Sequence, residues 1–253
     1  MTEKDITKHL SPDTPHHVRV FSALPSTNLT LHEMAREGAP DGTAVIAEGQ
    51  SAGRGRLGRE FASPRGAGLY MSVLLRRPLP ADRIPLLTPY AAVVAARAVE
   101  RLTPLSVGIK WVNDLRVGDK KIAGILTEGE LTTEGSLAFA VIGIGINLLP
   151  SALPPHLADI AAAIGDFAPP PPPERLAAAI LDGLYGDLPT LLDGSFLADY
   201  RRRSVVLGRR VETVLEGKAI TGIAESIRDD GALIINAEGE RIVLNVGEVS
   251  IKL

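Results

Sequence analysis

The 253-residue sequence contains no cysteine, which removes disulfides, thiol nucleophiles and cysteine-ligated zinc or iron–sulfur sites together. Histidine is sparse: His9, His16, His17, His32 and His156 form no H-E-x-x-H or other metal-ligand spacing. No run of about 20 uninterrupted apolar residues offers a membrane span. The start, Met1-Thr2-Glu3-Lys4-Asp5, lacks the apolar core of a signal peptide, so a cytoplasmic location is expected. A net charge of −3 gives no electrostatic footprint for bulk nucleic-acid binding. With 45% hydrophobic and 23% charged residues, the chain can bury one large domain, or one domain and a small companion.

What stands out is one stretch, Gln50-Ser51-Ala52-Gly53-Arg54-Gly55-Arg56-Leu57-Gly58-Arg59, which follows the apolar run Thr43 to Ala47. Glycines let a backbone turn tightly and bring its N–H groups close to a ligand. Arginines add fixed positive charge and forked donors that suit phosphate or carboxylate. The stretch also spells G-x-G-x-x-G, but the dinucleotide fingerprint needs a helix straight after the glycines. Pro64, Gly66 and Gly68 oppose one here. The G-x-x-x-x-G-K-[ST] phosphate loop is absent. Taken alone, the stretch fits an anion-holding loop or a solvated arginine-rich surface loop.

Residues 1–17 are polar, broken by Pro12 and Pro15, and read as a flexible lead-in. Val18 to Phe21 alternates like a strand. Ser26-Thr27-Asn28 then precedes a helical stretch that ends at Gly38. Its hydroxyls suit an N-cap, and equally a polar ligand site at a helix start. Strands are expected at Thr43–Glu48 and Leu69–Leu75, and a nearly all-apolar, sheet-packed helix at about 86–102. Val107 to Leu115 reads as a strand that ends in the polar cluster Lys110, Trp111, Asn113 and Asp114, around the sole tryptophan. A bend at Gly118-Asp119 leads back through Ile122–Glu128, which places Lys121 within reach of Asn113 and Asp114. A surface hairpin with solvated lysines satisfies the same pattern.

Leu137 to Leu148 is an apolar strand carrying Asn147, with Gly143 and Gly145 leaving room for something to approach its backbone. Residues 149–173, ending in Pro169 to Pro173, read as an extended surface connection. Helices fill 174–203, with Leu176, Ile180, Leu181 and Leu184 on one face. Beyond Ser204 come short strands at Arg210–Leu215, Ala219–Arg228, Ala232–Asn236, Arg241–Leu244 and Glu248–Leu253, a small SH3-like barrel pattern. The expected division is therefore a lead-in at 1–17, a catalytic domain at 18–203 and a barrel at 204–253.

Each stretch alone is ambiguous; the ordered set is not. Ser26-Thr27-Asn28, the Gln50–Arg59 loop, Lys110-Trp111-Val112-Asn113-Asp114-Leu115, Lys121 to Leu126 and Gly143-Ile144-Gly145-Ile146-Asn147 together resemble the biotin–protein ligases over residues 18–253. The resemblance implies an α+β fold: a mixed-sheet catalytic domain related to class II aminoacyl-tRNA synthetases, followed by an SH3-like barrel. It implies that biotin and ATP give biotinyl-5′-adenylate and pyrophosphate, and that a lysine of a biotin carboxyl carrier domain then attacks the adenylate and releases AMP. Mg²⁺ is expected with ATP.

The resemblance also implies site residues. Ser26, Thr27, Asn28 and Gln50 match positions that contact biotin, and neutral donors and acceptors suit its ureido group. Gly53, Arg54, Gly55, Arg56 and Arg59 belong to the loop over biotin and adenylate, where Arg54, Arg56 and Arg59 offset developing charge. Gly124 matches a position where backbone meets biotin. Lys121 matches an essential lysine, assigned here to electrostatic stabilisation. Lys110, Asn113 and Asn147 serve ATP, with Asn113 near its metal, and Trp111 belongs to the same cluster. Asp114 orients or deprotonates the acceptor amine, so Asp114→Asn should slow transfer more than adenylation.

Two positions depart from the family: Val112 stands where proline is common, and Phe61 where tryptophan is frequent. The repressor members carry an N-terminal winged helix-turn-helix. With only residues 1–17 ahead of the first strand, DNA binding through such a domain is not expected, and the family contains both monomers and homodimers. A lipoate–protein ligase is the nearest rival. A biotin- or nucleotide-sensing module that binds without turnover is another, opposed by Lys121 and the loop arginines. The K-x-D-G motif of lysine-adenylate nucleic-acid ligases is missing.

Overall fold

The computed structural model describes residues 1–150 and 153–251. A seven-stranded sheet is built from β1 (His17–Phe21), β2 (Thr43–Ala47), β3 (Gly68–Leu75), β4 (Gly108–Lys110), β5 (Asp114–Val117), β6 (Lys120–Leu131) and β7 (Leu137–Asn147), in the order β1-β2-β3-β7-β6-β5-β4. Only β1 and β2 run parallel; the remaining pairs are antiparallel. All five residues of β2 are buried, which its unbroken apolar run requires, because a strand without polar alternation must be covered on both faces.

Helix α2 (Thr27–Arg36) covers one face, packing Leu31 and Ala35 on Val45, Leu74, Phe139 and Val141. On the opposite face α3 (Leu87–Leu102) and α4 (Pro173–Gly186) join Ala44, Ile46, Met71 and Val73 in the main core. The burial of α3 on nearly every side follows from its composition: Ala91 to Ala96 have no polar face to offer water. Pro173 opens α4 at its first turn, where the missing N–H costs nothing.

After α5 (Leu188–Asp193) and α6 (Phe196–Arg203) the chain changes to β8 (Arg210–Leu215), β9 (Lys218–Ile227), β10 (Leu233–Ala237), β11 (Glu240–Leu244) and β12 (Ser250–Ile251). They form an antiparallel sheet in the order β11-β10-β9-β8-β12. Two of its hairpins turn through Glu216-Gly217 and Glu238-Gly239, with φ of 51° and 77° and of 54° and 94°. Positive φ at both turn residues is the two-residue geometry that matches strand twist. The α+β architecture expected from the sequence is the one observed.

Several local expectations change. The lead-in is not flexible throughout. Thr2 and Asp5 make a reciprocal cap on α1 (Glu3–Thr7), Ile6 is fully buried, and Ser11 and Thr14 bond Asp182 of α4. A single buried apolar residue leaves no periodic signal, which is why the helix is not apparent in the sequence.

The stretch 107–115 is not one strand. It breaks after Lys110, and Lys110 pairs with Asp114 across the turn Trp111–Asn113. That turn contains no glycine or proline; distant partners hold it. The Tyr200 hydroxyl donates to the Val112 carbonyl at 3.0 Å, the Trp111 indole to the Gly231 carbonyl at 3.0 Å, and the Asn113 amide to the Ile125 carbonyl at 2.8 Å.

The proline-rich segment 149–173 also docks on the sheet. Lys121 donates its N–H to the Ile160 carbonyl and accepts from the Ala162 N–H, and Ala162 to Ile164 are buried. Residues 151 and 152 of that connection, and residues 252 and 253 of the last expected strand, lie outside the described residues.

Candidate active site

At the start of α2 the cap reading fails. Ser26 occupies the N-cap position but its side chain makes no cap bond. The polar groups turn instead into a buried network. The Thr27 N–H donates to Gln50 Oε1 at 2.8 Å, and Gln50 Nε2 donates to Ser63 Oγ at 2.8 Å. Ser72, wholly buried in β3, lies 2.8 Å from Thr27 Oγ1 and 2.5 Å from Asn28 Oδ1. Asn28 Nδ2 donates to Glu128 at 2.8 Å and to the Leu126 carbonyl at 3.3 Å. Buried polar atoms are stable only when paired in this way. Sequence reasoning missed Ser72 and Glu128. The one available signal was a lone serine inside the apolar run Leu69–Leu75.

The glycines of β7 have a concrete purpose. A Cβ on Gly143 would stand 2.2 Å from Asn28 Oδ1, and one on Gly145 2.5 Å from the Phe61 ring. What approaches the backbone here is thus Asn28 and Phe61, the latter also edge-on to Tyr70. Gly143→Ala is expected to destabilise the protein by about 1–3 kcal/mol, the usual range for overpacking, because Asn28 is wired on both sides and cannot yield. Thermal unfolding measures it; an unchanged midpoint would mean that the network is soft.

No helix follows the glycine–arginine loop; the chain makes one 3₁₀ turn at Arg56–Gly58 and returns antiparallel, Arg54 bridging Glu60. Gly53 faces away from the cavity, where a Cβ would stand 2.3 Å from the Phe61 carbonyl oxygen. The three arginines are not equivalent. Arg54 pairs with Glu128 at 3.0 Å and Arg59 with Glu248 at 2.6 Å. Arg56 meets only neutral acceptors, Asn113 Oδ1 at 3.3 Å and the Gly247 carbonyl at 3.2 Å, and has no carboxylate partner among the described residues. Its charge is unspent.

Lys121 Nζ lies 2.6 Å from Asp114 Oδ1, as its hairpin position suggested. It sits over Gly124, where a Cβ would stand 3.2 Å from Nζ. Lys110 is half-buried, and burial foremost draws its ammonium below the ordinary lysine range, against the pull of Asp114.

A cavity of about 860 Å³, counted out to its open mouth, collects Ser26, Thr27, Asn28, Gln50, Arg54, Gly55, Arg56, Arg59, Lys110, Trp111, Asn113, Asp114, Lys121 and Gly124. Gly53 stands behind it. Asn147 lines the adjoining cavity, which shares Arg59, Lys110, Asp114 and Lys121, and its amide donates to the Ala162 carbonyl at 3.1 Å. Trp111 is almost wholly buried and its indole N–H is taken by Gly231, so it braces the two sheets. The cavity wall thus joins neutral polar side chains, several cations and the carboxylates Glu60, Asp114 and Glu248, with Asp114 paired to Lys121 and Glu248 to Arg59. Among the described residues, no group of three or more His, Asp or Glu side chains could hold a metal, and no helix is long and apolar enough to cross a membrane.

Residues 20–147 match the Biotin/lipoate A/B protein ligase family, and residues 206–252 the Biotin protein ligase C terminal domain. The bifunctional ligase/repressor BirA of Bacillus subtilis (strain 168) is 40% identical over 154 residues, 60% of this chain and 47% of that protein. The chain thus spans about half the length of the first curated relatives it matches. The biotin--[acetyl-CoA-carboxylase] ligase of Mycobacterium tuberculosis (strain ATCC 25618 / H37Rv) is 33% identical over 237 residues, 88% of this chain and 85% of that one. A solved biotin protein ligase from Aquifex aeolicus, in complex with biotin and ATP, superposes with a TM-score of 0.79 at 26% identity, covering 93% of this chain and 98% of that one.

Proposed function

The chain belongs to the Biotin/lipoate A/B protein ligase family, and on that premise we propose that it activates biotin with ATP and transfers it to a lysine of a biotin carboxyl carrier domain. The observation that carries this reading is one cavity whose wall holds both a set of neutral polar side chains, Ser26, Thr27, Asn28 and Gln50, and a set of cations, among them Arg56, Lys110 and Lys121. The Thr27–Gln50–Ser63 chain suits a polar, uncharged ring such as biotin's ureido group. Arg56 and Lys110 suit the phosphates.

In the first step a biotin carboxylate oxygen attacks the α-phosphorus and the bond to pyrophosphate breaks. Two anions must meet, so cations placed beforehand lower the barrier. In the second, the acceptor amine attacks the acyl carbon, AMP leaves with the bonding pair, and the amine loses a proton. The described residues form no metal cage of their own, which fits Mg²⁺ arriving on the ATP phosphates as part of the substrate.

The test is pyrophosphate exchange into ATP by the purified full chain, with biotin or lipoate as the acid. Exchange with biotin is expected. Exchange with lipoate alone would keep the fold and overturn the substrate, and exchange with neither would overturn the activity.

Lys110 adds a pH dependence. Burial favours its neutral form, whereas a bound triphosphate favours the ammonium. ATP therefore binds with proton uptake as pH rises through the lowered lysine value, and KM for ATP should climb below the ordinary lysine range of about 10.4. Lys110→Arg stays charged and should flatten that climb. Parallel KM–pH profiles for the two proteins would exclude Lys110 as the titrating group.

A further inference from the structure

We propose that Glu128 is the positioning residue for the biotin end of the cavity, and that Arg54 anchors the loop to it instead of meeting the substrate's anion. The proposal rests on the reading above and deepens it. Alternate residues of a strand share a face. Gly124, Ile125 and Leu126 line the cavity from β6, and Glu128 stands two residues beyond Leu126, on the same face of that strand. Both of its oxygens accept from Arg54, Oε1 from Nη2 at 3.0 Å and Oε2 from Nη1 at 3.5 Å, and Oε2 accepts from Asn28 Nδ2 at 2.8 Å as well.

Through that one carboxylate the glycine–arginine loop is tied to the start of α2. Asn28 gains a fixed orientation as well. Ser72 approaches its Oδ1 at 2.5 Å while both Nδ2 hydrogens are taken by Glu128 and the Leu126 carbonyl. The amide therefore cannot turn over without breaking every one of these bonds.

Charge accounts for the division of labour in the loop. Arg54 already faces a carboxylate in a forked contact, so its charge is largely spent before a ligand arrives. Arg56, with neutral partners only, keeps its charge for the phosphates. Arg54 and Arg56 are two residues apart and yet belong to different ends of the reaction. The sequence-based assignment of both to charge stabilisation is thereby split.

The experiment uses the full chain, with hydrogen exchange of the loop amides 53–59 read without ligands and steady-state kinetics read with them. Glu128→Gln is nearly isosteric, and a half-exposed ion pair contributes little to global stability, so the melting midpoint should stay close to wild type. Loop exchange should quicken about tenfold and KM for biotin rise about tenfold, the scale of coupling between residues in direct contact. KM for ATP should move less than twofold. Arg54→Met should reproduce this, the double variant should be no worse than either single one, and the reversal Arg54→Glu with Glu128→Arg should recover most of the loop protection.

Unchanged loop exchange in Glu128→Gln, additive effects of the two single variants, or a rise in KM for ATP instead of biotin would each overturn the proposal. Failure of the wild type to exchange pyrophosphate with biotin would sink the functional reading only, because the loop-protection arm judges the anchor without any turnover.

Discussion

Lys121→Ala is expected to slow biotin-dependent adenylation by about 10²–10³-fold, the cost of removing one preorganised stabiliser of developing charge. The position is unusually well fixed. Its N–H and its carbonyl are both bonded to the neighbouring 160–162 segment, through Ile160 and Ala162, and its ammonium is steered by Asp114 at 2.6 Å. Truncation removes a cation and also leaves the Asp114 carboxylate unpaired in a cavity that must admit two anions. Part of the loss should therefore be recovered when Asp114→Asn is added, because the repulsive charge disappears with it. Single-turnover formation of biotinyl-5′-adenylate measures both effects. A rate within tenfold of wild type for the single variant would take Lys121 out of the charge-stabilising role.

The same contact revises what Asp114→Asn alone should do. Read from the sequence, Asp114 serves the acceptor amine, and its loss should slow transfer selectively. In the structure Asp114 is the only carboxylate paired with Lys121 among the described residues, so its neutralisation loosens the group needed for the first step. Both steps should slow, and separating them requires transfer to be started from preformed adenylate.

Legibility of this protein in its sequence follows where each interaction comes from. The Glu216-Gly217 and Glu238-Gly239 turns, the buried helix α3 and the apolar strands are dictated by residues within one or two turns of each other, and the pattern alone places them. The glycine–arginine loop is equally plain, down to the absence of a following helix, because Pro64, Gly66 and Gly68 act locally. What stayed hidden depends on distant partners. The break at Trp111–Asn113 is imposed by Tyr200 and Gly231. The polar wiring of α2 is imposed by Ser72 and Glu128, and no local rule singles out either one. The hydroxyls of Ser26 and Thr27 satisfied a capping rule on paper, and a tertiary network claimed Thr27 instead.

Arg56→Gly should turn a specific enzyme into one that sheds its intermediate. Of the loop arginines, Arg56 alone faces neutral acceptors, and those acceptors come from two places: Asn113 in the β4–β5 turn and the Gly247 carbonyl in the second sheet's last connection. One side chain thus closes the loop across both units while keeping its charge for a phosphate. Glycine removes the cation and both bridging bonds, and adds backbone freedom at a position already between Gly55 and Gly58. Hydrogen bonds to a charged group are worth about 1.5–3 kcal/mol, so the adenylate should leave about 10–150-fold faster. Adenylation itself should fall less, since Lys110 and Lys121 remain. Free biotinyl-5′-adenylate then acylates any exposed lysine it meets, so a bystander protein without a carrier domain should become labelled in the presence of biotin and ATP. Adenylate measured in the filtrate, beside labelling of the bystander, checks both halves. If the intermediate stays bound and the bystander stays unlabelled, the loop does not act as a clamp, and the charge on Arg56 must serve some other purpose than retaining the phosphate.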